Sequence, residues 1–133
     1  MLAATQTNPT SLGYTKSHEW VRDDGNQMVT IGITAHAAEQ LGDVVFVDLP
    51  ELDSEVSVGA EIAVIESVKT AADIYAPVSG RIVAINDHLQ NTPEDVNNDP
   101  FDQGWLCQIE LSDNKDLVAL LSADDYTAQI EQD

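Results

Sequence analysis

A lysine in the segment ESVKTAADIYAPVSG, residues 66–80, is the side chain whose position most suggests chemistry. Lys69 lies where the alternation of apolar residues stops, between a predicted strand that ends at Ser67 and another that begins at Asp73. At the tip of a hairpin, its primary amine is accessible to an enzyme that acylates lysine. The competing interpretation is an ordinary solvated lysine, whose charge discourages aggregation of the neighbouring strands.

Sequence motifs of the common enzyme classes are missing from the chain. It contains no phosphate-binding loop, dinucleotide-binding glycine pattern, nucleophile elbow, CxxC or HExxH. The segment DVNNDPFDQGWL resembles the start of a calcium loop, but Pro100 replaces the required glycine and Leu106 replaces the bidentate glutamate. The histidines lack metal-ligand spacing and are expected to be packing or surface residues: His18, His36 and His88. We therefore expect no metal site and no catalytic residues.

The elements that must position Lys69 are mostly short strands separated by turns. Strands are predicted at residues 28–33, 44–47, 61–65, 73–76, 81–85 and 105–111. The second of these, VVFV, is apolar at every position, which predicts a strand covered on both faces. A helix is predicted between Thr34 as its cap and Gly42 as its end, a long polar loop at 88–104, and two short helices at the C-terminus. This pattern is typical of a β-sandwich or flattened barrel.

The length of 133 residues fits one domain with a modest core. Residues 1–13 are polar and punctuated by proline and glycine, so we expect a flexible N-terminal segment followed by a single domain over residues 14–133. The start of the chain lacks the features of a secretion signal, and no apolar run is long enough for a membrane-spanning helix. Cys107 has no second cysteine to pair with, which suits the reducing cytoplasm, and its alternating position predicts a core residue.

The net charge of −19 limits the classes of partner. Because such an acidic surface is repelled by the phosphates of nucleic acids and by anionic lipids, we expect neither as a partner. Soluble proteins with basic faces are the expected partners, met in encounters that weaken as salt is added. The alternative is that the charge serves solubility only.

Several segments together resemble the H protein of the glycine cleavage system. They extend from Tyr14 to the last helix and include YTKSHEWVR, VTIGIT, LGDVVFVDLPE, ESVK, DIYAPVSG, VNNDP and GWL. The resemblance implies a mostly β, barrel-sandwich hybrid fold of the lipoyl- and biotinyl-carrier type, with short flanking helices. It also implies lipoic acid attached as an amide to Lys69. The neighbours Val68 and Thr70 match neither the methionines of biotin carriers nor the Asp-Lys pair of lipoyl domains from 2-oxo acid dehydrogenases.

What the family implies is a lipoyl carrier in glycine catabolism and one-carbon metabolism that is not itself an enzyme. A pyridoxal-phosphate glycine decarboxylase loads an aminomethyl group onto the lipoyl arm, and a tetrahydrofolate-dependent aminomethyltransferase removes it. Dihydrolipoyl dehydrogenase then reoxidises the arm, which a lipoyl ligase or transferase has attached beforehand. The alternative from another functional class is a non-shuttling binding or regulatory module of the same fold, in which Lys69 stays unmodified.

Members of this family hold the loaded arm in a surface cleft beside the lipoyl hairpin. The positions that match the cleft are Ser17, Glu19 and Asp73. The carboxylates of Glu19 and Asp73 suit an ammonium group. For Glu19 and Asp73 the alternative is an ordinary solvated carboxylate. The sequence departs from the family at Ala35, where aspartate is common, and at Gln40, where some relatives have a histidine.

Overall fold

Two antiparallel sheets form the framework of the protein, whose computed structural model describes residues 8–131. The strands are β1 (Gly13–Tyr14), β2 (Glu19–Gly25), β3 (Met28–Ile33), β4 (Val44–Asp48), β5 (Glu55–Val56), β6 (Glu61–Ser67), β7 (Ala71–Tyr75), β8 (Gly80–Ile85) and β9 (Cys107–Leu111). The larger sheet has the order β1-β2-β3-β9-β8-β5, and the smaller has the order β4-β6-β7. The helices are short: α1 (Ala35–Leu41), α2 (Asp95–Asn98), α3 (Lys115–Val118) and α4 (Ala123–Glu131). This mostly β architecture of two sheets with short helices confirms the predicted fold class.

The smaller sheet contains the hairpin that carries the candidate lysine. β6 and β7 pair from Glu61↔Tyr75 to Glu66↔Ala71, so residues 68–70 form the tip. Lys69 lies in the tip as the sequence predicts, but β7 begins at Ala71, two residues before the predicted start at Asp73. The prediction of a strand covered on both faces was wrong for residues 44–47. β4 is an edge strand with a register shift, and Val45 and Phe46 are 54% and 43% exposed. An apolar run cannot distinguish a covered strand from a bulged edge strand whose outer face is open.

Helix α1 begins and ends where the sequence predicts. The side chain of Thr34 accepts a hydrogen bond from the backbone N–H of Ala37, which satisfies one of the free donors of the first turn. Gly42 ends the helix with a φ of 79°, a conformation that glycine adopts without strain. The predicted loop at 88–104 is more ordered than expected, because a 3-10 turn (Asp87–Gln90) and α2 form most of its first half.

Two groups of buried side chains hold the elements together. The main core lies between the sheets and contains the fully buried Cys107, whose pKa is raised by burial to about 12. A second group joins α4 to β1 and β2 and includes Tyr14, Trp20 and Tyr126. The rings of Tyr14 and Tyr126 stack with centroids 4.8 Å apart. In the part of the chain that the structure describes, no helix is long and apolar enough to cross a membrane.

The end of the predicted N-terminal segment contacts the second core. Leu12 is buried there, the Tyr14 hydroxyl donates to the carbonyl of Pro9 at 2.6 Å, and the Asn8 amide donates to Thr127 Oγ1 at 3.0 Å. Residues 1–7, which make up the rest of the segment predicted to be flexible, lie outside the described residues.

Candidate functional site

The lysine turn, residues 68–70, is shaped by the side chain that precedes it. Ser67 Oγ accepts hydrogen bonds from the backbone N–H groups of Lys69 and Thr70, each at 3.1 Å. The backbone N–H of Ser67 donates to the carbonyl of Thr70 at 2.8 Å, which closes the turn. A serine that bonds the backbone two and three residues ahead is a recognised turn-stabilising arrangement. The tip therefore has a defined backbone shape beneath the exposed Lys69.

The Lys69 side chain lies over the end of α1. A Cβ at Gly42 would be only 3.0 Å from Lys69 Cε and 3.7 Å from its Nζ. Next to Gly42, the carbonyl of Asp43 accepts a hydrogen bond from the N–H of Val68 at 3.0 Å. Among residues 8–131, no carboxylate oxygen lies within 4.0 Å of Lys69 Nζ. The amine is thus exposed and, among the described residues, has no carboxylate partner, which leaves it accessible to another protein.

A cavity of about 270 Å³ lies beside the turn. Its apolar lining comes from Ile33, Ala37, Leu41, Ala72 and Ile74, and its polar lining from Ser17, His18, Gln40, Thr70 and Asp73. Thr70 directly follows the lysine, so the lining reaches the tip of the hairpin. The surface can accept an aliphatic chain along its apolar part and a polar or cationic group near its carboxylate.

The three predicted cleft residues do not share one environment. Ser17 and Asp73 line the cavity, whereas Glu19 is only 1% exposed and does not appear in its wall. Glu19 Oε1 accepts from Thr15 Oγ1 at 2.5 Å and from Ser17 Oγ at 2.6 Å. Its Oε2 lies 3.4 Å from the N–H of Tyr75 on β7. Glu19 therefore holds the Ser17 hydroxyl and joins β2 to the lysine hairpin.

Two residues of the cavity region were not found from the sequence. His18, expected to be a packing or surface residue, lines the cavity with a φ of 76°, which is unusual for a residue with a side chain. Its Nδ1 lies 2.7 Å from the hydroxyl of Tyr126 on α4. The same hydroxyl lies 2.7 Å from Thr34 Oγ1. A weak sequence signal for His18 is its position between two predicted cleft residues, Ser17 and Glu19. No sequence signal joins Tyr126 to residues 92 or more positions away.

The other expectations about the site concern metals and the two departures from the family. Within residues 8–131, no three His, Cys, Asp or Glu side chains are arranged to hold a metal ion. Gln40 is part of the cavity lining, and Ala35 is at the start of α1 outside that lining.

Comparison with known proteins gives consistent results. The family described as glycine cleavage H-protein matches residues 12–133. The chain is 52% identical over 123 residues to the glycine cleavage system H protein of Vibrio cholerae O395, covering 92% of this chain and 98% of that protein. It is 52% identical over 125 residues to the H protein of Photorhabdus laumondii, covering 94% and 96%. The crystal structure of an H protein from Mycobacterium marinum superposes with a TM-score of 0.83 at 36% identity, covering 93% of this chain and 99% of that one.

Proposed function

Because the chain belongs to the glycine cleavage H-protein family, we propose that Lys69 is the residue through which it carries lipoate. The chain is a lipoate-bearing carrier of the glycine cleavage system, which shuttles the aminomethyl group of glycine. The observation that supports the assignment to Lys69 is its exposed amine, unpaired among the described residues, on a turn that Ser67 holds in shape.

The surroundings of Lys69 fit a lipoyl group. Amide formation needs a reachable amine, and the tip supplies one. The apolar side of the neighbouring cavity suits the aliphatic chain, and its volume of about 270 Å³ is close to that of small-ligand pockets. Attached at this position, lipoate supplies the disulfide and dithiol chemistry on which transfer of the aminomethyl group depends.

The cavity also suits the cargo. The exposed carboxylate of Asp73 can pair with the ammonium of an aminomethyl group, and Ser17 offers a hydroxyl beside it. Glu19 contributes through Ser17, because its own oxygens are already bonded to protein donors. Holding the cargo against this wall keeps water away from it and slows its hydrolysis.

The expected partners are the decarboxylase, the aminomethyltransferase, dihydrolipoyl dehydrogenase and a lipoyl ligase or transferase. Around the lysine turn the exposed surface combines apolar Val45, Phe46 and Val68 with acidic Asp43 and Glu66. Phe46 and Glu66 are cross-strand neighbours, so apolar and acidic groups adjoin. This surface complements partner faces that combine an apolar centre with lysine or arginine, which favours proteins over nucleic acids or membranes. We place the protein in the cytoplasm, where its single buried cysteine stays reduced.

Acylation by a lipoyl ligase tests the proposal directly. Wild-type protein incubated with ligase, lipoate and ATP should gain one lipoyl group by intact mass, and peptide mapping should place it on Lys69. Lys69→Arg keeps the charge but offers a guanidinium that the ligase does not acylate, so both modification and glycine decarboxylation should be lost. Lys16→Arg and Lys115→Arg, which change the other two exposed lysines, should behave like wild type. Modification of folded Lys69→Arg would refute the assignment, and an unmodified wild type would favour the non-shuttling module.

A further inference from the structure

One amide side chain joins α2 to the segment on which the lysine turn rests. Asn97 Oδ1 accepts a hydrogen bond from the N–H of Val44 at 2.9 Å. Its Nδ2 donates to the carbonyl of Gly42 at 2.7 Å and approaches the carbonyl of Ala38 at 3.5 Å. The half-buried Asn97 therefore supplies a donor to the carbonyl of Gly42, just after the end of α1, and at the same time fixes the first residue of β4.

The residues that Asn97 holds are those that contact the lysine turn. Between Gly42 and Val44 lies Asp43, whose carbonyl accepts from the N–H of Val68. Gly42 is the residue over which the Lys69 side chain lies, close enough that a Cβ would come within 3.0 Å of Lys69 Cε. A shift of this segment would thus move both the backbone of the turn and the support of its lysine.

We propose that Asn97 is a positioning residue for the modification of Lys69. The inference rests on the proposed function, since it concerns how the lysine is presented to the lipoyl-attaching enzyme. That enzyme must recognise one backbone shape at an exposed tip. If the turn holds this shape for only a fraction of the time, the apparent affinity of the enzyme for it is reduced by that fraction. Loss of the hydrogen bonds of Asn97 to Gly42 and Val44 should consequently weaken recognition, while the acyl-transfer step itself stays unchanged.

Asn86 offers a matched control. Its Nδ2 donates to the carbonyls of Gln103 and Trp105 at 2.8 and 2.9 Å, so it also anchors the segment between β8 and β9 with a side-chain amide. It contacts neither the lysine turn nor the end of α1 in these bonds. Asn86→Ala and Asn97→Ala should therefore both lower the melting temperature, but Asn86→Ala should not affect presentation of Lys69.

The experiment is steady-state lipoyl transfer by a purified ligase onto each variant, at a temperature where all are folded. Asn97→Ala should raise the KM for the acceptor protein about fivefold, the equivalent of one ordinary hydrogen bond, with kcat within about twofold of wild type. Asn86→Ala should leave both constants near the wild-type values. If Asn97→Ala does not fold, Asn97→Asp replaces it, because it keeps the acceptor for Val44 and removes the donor to Gly42.

Amide hydrogen exchange separates positioning from general loss of stability. In the Asn97 variant the N–H of Val68 should exchange faster than in wild type, relative to the N–H of Ile82, which is bonded to the carbonyl of Ser54 far from the turn. Equal KM values for the Asn97 and Asn86 variants, or unchanged relative exchange at Val68, would overturn the inference. Failure of the proposed function looks different, since wild-type protein would then not be acylated at Lys69.

Discussion

Replacing Glu19 with alanine should destabilise the protein by much more than the loss of a surface carboxylate. Glu19 is 1% exposed, and Oε1 accepts short hydrogen bonds from the hydroxyls of Thr15 and Ser17. Hydrogen bonds to a charged acceptor contribute roughly 1.5 kcal/mol or more each, so the two together correspond to about 3 kcal/mol. The contact with the Tyr75 N–H is long at 3.4 Å and adds little.

A second substitution refines the magnitude. Glu19→Gln retains the shape and one oxygen that can accept from both hydroxyls. With that oxygen toward the hydroxyls, the NH₂ group of the glutamine would face the N–H of Tyr75, so two donors would oppose each other. We expect about 1 kcal/mol of destabilisation from this variant. Glu39→Ala on the exposed side of α1 is the control and should change stability by less than about 0.5 kcal/mol.

The assays are urea unfolding and the lifetime of the loaded protein. A loss of about 3 kcal/mol in the free energy of unfolding corresponds to a fall in melting temperature of about 10 °C for a chain of this size. Glu19→Ala also frees the Ser17 hydroxyl from its partner, so the purified, loaded carrier should release ammonia or formaldehyde faster, while lipoylation of Lys69 continues. An Ala variant as stable as Glu39→Ala would refute the structural reasoning. Wild-type release from a clearly destabilised Ala variant would refute the link from Glu19 through Ser17 to the cargo.

Two further predictions concern buried groups. Cys107 has its pKa raised by burial from 9.0 to about 12, so at pH 8 its thiolate fraction is about a thousandfold below that of an unfolded chain. A chromogenic disulfide reagent should therefore react rapidly only in denaturant, and rapid reaction of the folded protein would contradict this. Tyr126→Phe should keep the ring stack with Tyr14 but remove the hydroxyl that contacts His18 and Thr34, shortening the lifetime of the loaded arm. Tyr14→Phe, which removes the hydroxyl bonded to Pro9, should leave that lifetime unchanged, and equal effects would exclude a specific role for Tyr126.

Local patterns in the sequence determined the elements that depend on nearby residues. The alternation in β3, the cap Thr34, the terminating Gly42 and the tip at Lys69 all follow from rules that operate within a few positions. The resemblance carried by ESVK and its companion segments added the family, and the comparisons confirmed it. The assignment of individual site residues stays a prediction that the experiments above test.

Tertiary structure decided the rest, because burial and pairing depend on residues far apart in the chain. The sequence could not show that Glu19 is enclosed by Thr15, Ser17 and the strand at Tyr75, 56 positions away. It also could not show that Val45 and Phe46 face outwards, since that depends on which side of the smaller sheet lies open. The contact of Asn97 with Gly42 spans 55 positions and arises only when α2 packs beside the end of α1. Short-range rules fix where strands and turns occur, whereas the packing of distant elements decides which polar groups lose their water and must bond to one another.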